Sequence, residues 1–458
     1  LNNFSYIKKI GFHVLLGLAI YAVSFLSKVY LFAICVYFAN QILTAKPSQK
    51  PVQVLLACAY VVGSEVFIRM TGGNFLYEAS KYLVILFVFM GLFTTRLPSQ
   101  SLGYILYLFL LLPGIIVAGL NSSPGSNLRT DIAFNLSGPV CLGIVALFCY
   151  KRKISFQNLN KVMLYMALPL ISMTVYLFFY TPDVRATVTG TGSNFAASGG
   201  FGPNQVSTVL GLGMFVLTAR FFMLSPNLFL KIISGVLLAA MSFRGVVTFS
   251  RGGILTALFM IAAYLFFYFK KVNIKAKFRI IRLVVIFTAL ALSVWLISSL
   301  QTGGLIENRY ANRDALGREK EDVTTGRSDL ISFELNEFLN NPVFGVGVGK
   351  IKILREQKEG LLAASHNEVT RILAEHGFFG VFAFSILLLA PMILRFNNKN
   401  NVFFYSFYLF WFLTINHSAM RIAAPAFVYG LCLLDVRFKS KRVNKSPATK
   451  LVKNIGNS

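Results

Sequence analysis

The chain has 458 residues, of which 56% are hydrophobic and only 13% charged, a balance that excludes an ordinary soluble protein. Its apolar runs approach the ~20 residues a helix needs to cross a bilayer, and they are continuous rather than alternating, which excludes a β-barrel. The formal charge of +27 comes mostly from bases in short links between those runs, so it reads as membrane topology and contact with anionic headgroups, with no nucleic-acid partner.

Fourteen apolar segments follow in chain order: 10–23, 27–43, 52–69, 79–95, 102–119, 132–150, 160–180, 205–222, 228–245, 252–269, 280–299, 377–394, 401–416 and 421–435. The first two and last two are short, so the fold class is an all-α polytopic membrane protein of about 12–14 transmembrane helices. The first span is expected to stay as an anchor, because no cleavable signal peptide is evident. Cys35, Cys58, Cys141, Cys149 and Cys432 all lie in apolar runs without a CxxC, which implies neither a disulfide framework nor a metal site. Lys8 and Lys9, Lys46 and Lys50, Lys151 to Lys153, and Lys270 through Arg282 fall in alternate links, consistently on one face. The same holds for the seven bases after Asp435. The positive-inside rule then places both termini in the cytoplasm.

The opposite, extracytoplasmic face receives the links near 70–78, 120–131, 181–204, 245–251 and 417–420, with one long polar segment. Its bases are mainly arginines: Arg69, Arg129, Arg185, Arg244, Arg251, Arg327 and Arg421. A guanidinium stays charged when partly buried and grips phosphate with a planar fork; near a span end it also commonly snorkels to headgroups. The stretch 181–204 is rich in glycine and ends in Gly202-Pro203-Asn204 where the next span begins. It is either a mobile loop or a place where backbone approaches an anion. Arg251 opens the tenth span, where helix N–H groups already supply positive potential, so a cation there calls for an anion between them.

The segment 301–376 carries twelve of the seventeen acids and ten bases, the charge mix of a soluble fold. Two helices can be read in it. One begins near Thr325-Gly326-Arg327-Ser328 and stops before Pro342. The other opens on Ser365-His366-Asn367-Glu368, a capping box in which Ser365 caps the Glu368 N–H and His366 and Asn367 take the first two helical positions. The helix dipole keeps His366 neutral, the form that accepts a proton. His13 reads as structural, and His376 and His417 as interfacial. The run Gly345-Val346-Gly347-Val348-Gly349 reads as a flexible connection, and Glu319 to Asp322 as a solvated face. No P-loop, HExxH, GxSxG or DxD motif is present, so neither a metal nor any other cofactor is expected.

Ser250-Arg251-Gly252-Gly253, Thr325-Gly326-Arg327, Asn341-Pro342-x-x-Gly345-x-Gly347, and His366-Asn367 followed by Gly377-Phe378-Phe379-Gly380 together resemble the O-antigen ligase and polymerase superfamily of bacterial envelope enzymes. Gly202-Pro203-Asn204 also fits that pattern. The resemblance implies a GT-C-like membrane fold with one large extracytoplasmic helical loop, in the bacterial inner membrane with that loop periplasmic. It implies a metal-independent, inverting transferase that takes a glycan from an undecaprenyl diphosphate donor. The acceptor is a hydroxyl of lipid A-core or of a growing repeat-unit chain. By position it assigns His366, Arg251 and Arg327 to catalysis, with Arg185, Arg421, Asn367 and Asn204 as weaker substrate-binding candidates. Polysaccharide-export or chain-length proteins are candidate partners. The expected organisation is a bundle over 1–299, a catalytic loop over 300–376, a second helical set over 377–436 and a basic cytoplasmic tail over 437–458. Residues 381–394 depart from the ligases, leaving ligase and polymerase both open. The competing class is a transporter, a polysaccharide flippase or a bicarbonate or anion carrier, which would favour mid-span ionisable groups and paired repeats.

Overall fold

A computed structural model describes residues 3–95, 101–121, 127–225, 227–321, 326–397 and 399–438. Asp322, Thr325 and the basic tail after Phe438 lie outside the described residues. Every one of the fourteen apolar segments is helical: α1 (Asn3–Ala22), α2 (Leu26–Thr44), α3 (Lys50–Met70), α4 (Ala79–Leu92), the pair α5 (Leu102–Leu110) and α6 (Leu112–Leu120), α7 (Leu128–Cys149) and α8 (Phe156–Tyr180). After the four-residue α9 (Val184–Thr187) come α10 (Pro203–Ala219), α11 (Leu228–Val246), α12 (Arg251–Lys271) and α13 (Ile274–Gln301). The polar segment holds α14 (Leu305–Tyr310), α15 (Arg327–Asn340), α16 (Lys350–Glu359) and α17 (Glu368–His376), and α18 (Phe378–Asn397), α19 (Phe404–Ser418) and α20 (Ala424–Cys432) complete the bundle.

Among the described residues, ten helical stretches are long and apolar enough to cross a membrane. The other four are α1, which carries Lys8 and Lys9, and the shorter α4, α19 and α20. The starts of α8, α11 and α13 are fixed by Ser155, Asn227 and Asn273, each accepting from the backbone N–H three residues on, which satisfies donors that a helix start leaves open. At the centre, α10 packs on α8, α11 and α12, and α3 on α4 and α8. The sequence α12, α19, α20, α7 closes the other side. By contrast, α13 and α18 turn most of their apolar side chains outward, as a helix solvated by lipid does.

Because the helices alternate in direction, the links after α3, α8, α11, α13 and α19 gather at one end, together with the start of α7. They are bonded to each other there: Arg69 to the Arg421 carbonyl at 3.1 Å, Arg371 to the Asn135 carbonyl at 3.0 Å, and Lys320 to the Thr191 hydroxyl at 2.8 Å. At the far end a parallel two-stranded ribbon, β1 (Lys153–Ser155) against β2 (Asp435–Arg437), is the one regular departure from helix among the described residues.

Candidate functional site

Three arginines from three elements meet in a cavity of about 530 Å³ at the end where the links gather. Arg251 is the first residue of α12. The turn before it is fixed by hydroxyls, since Ser207 donates to the Ser250 hydroxyl at 2.9 Å and Ser250 donates to Asn204 Oδ1 at 2.8 Å. The two glycines after Arg251 let three helices converge. A Cβ on Gly252 would lie 2.4 Å from the His417 ring, and one on Gly253 2.3 Å from the Ser207 backbone. Arg309, in the last turn of α14, donates from Nε to the Phe249 carbonyl at 3.0 Å, and Arg251 donates from Nη1 to the Arg309 carbonyl at 3.3 Å. Arg327 begins α15 directly after Gly326, whose φ of 76° turns the chain inward.

Among the described residues, Asn204, Ser250, Arg251, Arg309, Arg327 and Ser328 line this cavity, and no acidic side chain does. Burial lowers the pKa of Arg309, and the neighbouring Arg251 and Arg327 lower it further. Burial and Arg251 do the same to Arg327. Like charges held this close favour an anion between them, and planar forks of this kind suit a phosphate or diphosphate.

His366 stands in the irregular chain just before α17. The structure corrects the capping box: the N-cap of α17 is Asn367, whose Oδ1 accepts from Val369 N at 2.9 Å and Thr370 N at 3.3 Å. Ser365 instead donates from its hydroxyl to the Asn367 carbonyl at 3.0 Å. An Asx cap took the terminus two residues later because Glu368, expected to reach back, is pulled inward to Arg371. His366 is therefore outside the helix. Its pKa is lowered to about 4, first by burial and then by the charges of Arg421 and Arg327, with His417 and Arg355 contributing. The expected neutrality holds, for a reason other than the helix dipole.

The frame behind His366 is a set of buried ion pairs. Arg371 bonds both Glu368 and Glu375, and Glu375 also accepts from Gly349 N at 2.8 Å. Arg355 pairs with Glu334 at 2.8 Å, and Thr370 donates to the other oxygen of the same carboxylate. Opposite α17, the turn 419–423 is tied down residue by residue. Ala419 N donates to the His366 carbonyl at 3.1 Å, Met420 N to Glu368 at 3.3 Å and Ala423 N to Glu65 at 2.7 Å. Ala419 sits at φ 51°, ψ −163°, a region that side chains other than glycine's hydrogen rarely occupy. Phe249, one residue before the Ser250 turn, also has positive φ, at 57°.

The sequence-derived candidates therefore separate. Arg251, Arg327 and Asn204 share one cavity. His366 is not part of its lining but lies in the field of Arg327 and Arg421, so Arg327 links the two. Arg421 donates to the Ser365 carbonyl at 2.8 Å and so positions the His366 segment. Arg185 is exposed on α9 and takes no part in the lining, and Asn367 uses its side chain as a cap. Arg69 and Arg244 are bound elsewhere, Arg69 to Glu65 at 2.7 Å and Arg244 to the Thr181 and Ala197 carbonyls. His376 is fully buried against Gly114 rather than interfacial. His417 is also buried, its ring nitrogens 3.2 Å from the Thr208 hydroxyl and 2.8 Å from the Leu413 carbonyl. The glycine run 345–349 is no loose connection. Gly347 at φ 93° would place a Cβ 2.6 Å from the Ala118 backbone, and α16 starts directly after Gly349. Arg309 was missed because α14 is a six-residue helix in a charge-mixed stretch, with too few apolar positions to show a period.

Residues 236–385 match the family model of O-antigen ligases, Wzy_C. No curated protein matches the chain. The matched stretch runs from α11 into α18 and contains Arg251, Arg309, Arg327 and His366, so the resemblance to the O-antigen ligase and polymerase superfamily is borne out where the cavity lies. It supports a glycosyltransferase-type enzyme in a multi-pass membrane protein.

Proposed function

We propose that the protein transfers a glycan from a polyprenyl diphosphate donor, undecaprenyl diphosphate in a bacterial inner membrane, to an acceptor hydroxyl on the periplasmic face. The observation that carries this is a cavity into which three arginines from three elements converge, with Arg327 also acting on a neutral imidazole. The donor's diphosphate enters between Arg251, Arg309 and Arg327. The acceptor hydroxyl of lipid A-core or of another repeat unit gives its proton to a ring nitrogen of His366. Its oxygen forms a bond to the anomeric carbon as the bond from that carbon to the phosphate oxygen breaks. The electron pair of the broken bond goes to the diphosphate, and attack from the opposite face inverts the centre. Fixed guanidinium groups stabilise the charge that grows on the leaving group without reorganising.

An imidazole with a pKa of about 4 is neutral at pH 7 but a weak base. Donor binding corrects that, because a diphosphate beside Arg327 offsets one of the positive charges that depress it. The test is glycan transfer in proteoliposomes containing the purified protein, a polyprenyl diphosphate glycan and an acceptor. His366→Ala and Arg327→Ala are expected to abolish transfer while leaving the protein folded. Full activity in either variant removes that residue from the mechanism.

A further inference from the structure

Only residues 23–25 separate α1 from α2, yet α1 packs chiefly on α8 and α2 on α3. The space between them is a cleft of about 320 Å³. Phe12 of α1 with Ala33 and Tyr37 of α2 form its exposed mouth, and His13, Tyr30 and Tyr60 its buried floor. From Tyr37 to Tyr30 it extends about 10 Å along α2. The polar atoms of the floor satisfy one another. The His13 ring nitrogens lie 2.7 Å from the Lys9 carbonyl and 2.9 Å from the Tyr60 hydroxyl, and Tyr30 donates to Tyr60 at 3.0 Å. A guest therefore meets mostly ring faces, with Ile34 and Leu168 between them. Lys9 and Tyr165 close the cleft toward the end opposite the arginine cavity. Lys9 Nζ donates to the Tyr165 hydroxyl at 2.9 Å and stands 4.4 Å from the centre of its ring. An ammonium has three donors, so Lys9 can bond a guest as well. No aspartate or glutamate occurs before Glu65 or between Asp131 and Asp183, the stretches that supply every wall of the cleft. Lys8, Lys9, Lys46 and Lys50 all stand toward this end. An anion from outside the chain is the favoured partner for such a set of cations.

We infer that the cleft between α1 and α2 binds one anionic phospholipid, its phosphate on Lys9 and one acyl chain laid over the aromatic floor. The inference stands apart from the transferase reading and concerns the opposite end of the bundle. An apolar chain covers the rings that the splayed hairpin leaves bare, and the phosphate supplies the charge that the surrounding helices lack. Phosphatidylglycerol is the better fit than phosphatidylcholine, whose headgroup brings its own cation to walls that hold no carboxylate. The lipid thus acts as a wedge that joins α1 to α2.

The test uses the full chain, purified in detergent and supplied with phosphatidylglycerol or phosphatidylcholine, with retained lipid counted by native mass spectrometry. The wild-type protein is expected to keep one phosphatidylglycerol and to melt at a higher temperature with it than with phosphatidylcholine. Lys9→Gln should weaken retention about fivefold, the effect of one lysine at an anionic surface, and Lys9→Arg should restore it. Lys28→Gln, on the same hairpin but at its link end, should change nothing. A phosphatidylglycerol with a photoreactive group in its acyl chain is expected to crosslink to α1 and α2. Ala33→Trp, which fills the mouth from its exposed side, should abolish that crosslink. Equal retention of the two lipids, equal losses in Lys9→Gln and Lys28→Gln, or undiminished crosslinking in Ala33→Trp would overturn the inference. So would a polyprenyl phosphate that displaces the labelled lipid better than unlabelled phosphatidylglycerol does.

Discussion

Arg251 donates to the main-chain carbonyl of Arg309, 3.3 Å away, so the first turn of α12 and the last turn of α14 are fastened with both guanidinium groups on one wall. Arg309 is thereby a third member of the site rather than a bystander. Arg309→Ala is expected to reduce kcat/KM for glycan transfer by about two to three orders of magnitude, the usual cost of removing one fixed stabilising group. Arg309→Lys should recover part of that loss by restoring charge without the Nε donor to Phe249. Initial rates of transfer at varied donor concentration distinguish this from a merely structural role, in which Lys would be no better than Ala.

The imidazole of His366 has a folded pKa of about 4 against 6.5 for an unperturbed histidine. Between those values the unfolded chain binds more protons, so this group's contribution to stability is present above pH 6.5 and lost as pH falls toward 4. His376, buried and lowered to about 3, acts in the same direction. Thermal unfolding followed from pH 7 to pH 4 should show falling stability, with a smaller fall in His366→Gln. On the kinetic side, the acid limb of kcat, which reports the donor-bound enzyme, should lie at higher pH than that of kcat/KM. Coincident limbs would show that the donor does not relieve the arginine field.

Arg371 is buried between Glu368 and Glu375, and burial raises the pKa of Glu375 to about 7 despite that partner. Arg371→Met leaves two carboxylates without a counter-charge and is expected to destabilise the fold by about 3–5 kcal/mol. Adding Glu368→Gln and Glu375→Gln should return much of the loss. Chemical denaturation in detergent measures both, and a triple variant no better than the single one would assign the cost to packing.

Asn367→Ala removes the cap of α17 and is expected to cost about 1 kcal/mol, with Asn367→Asp retaining most of the stability. Ser365→Ala should cost less, since its hydroxyl bonds a carbonyl outside the helix. The reverse ranking, read from melting temperatures, would restore Ser365 as the cap.

The transmembrane helices were legible because their signal is length and apolarity, which one sequence displays in full. Arg251, Arg327 and His366 could be singled out as candidates because each stands beside a glycine or a polar run that breaks an apolar pattern, and the fold brings the two arginines into one cavity. The roles of Asn367 and Arg421 were not, since both depend on contacts between 365–368 and 416–421, segments that only the fold brings together. Nor could Arg309 be singled out, because its value comes from Phe249 and Arg251, some 60 positions earlier. His376 looked interfacial from its place before a span. Gly114, on a helix far away in the chain, leaves the room that buries it.

Ala419 holds a backbone shape at which glycine would be the cheaper choice, at a cost of about 1–3 kcal/mol. Four bonds to Ala419, Met420, Arg421 and Ala423 keep it there. A turn under such tension cannot drift without losing its anchors one after another, so the imidazole it abuts inherits a fixed address. Ala419→Gly would ease the tension and raise the melting point, yet leave the His366 segment freer to wander. The protein would gain robustness and surrender speed.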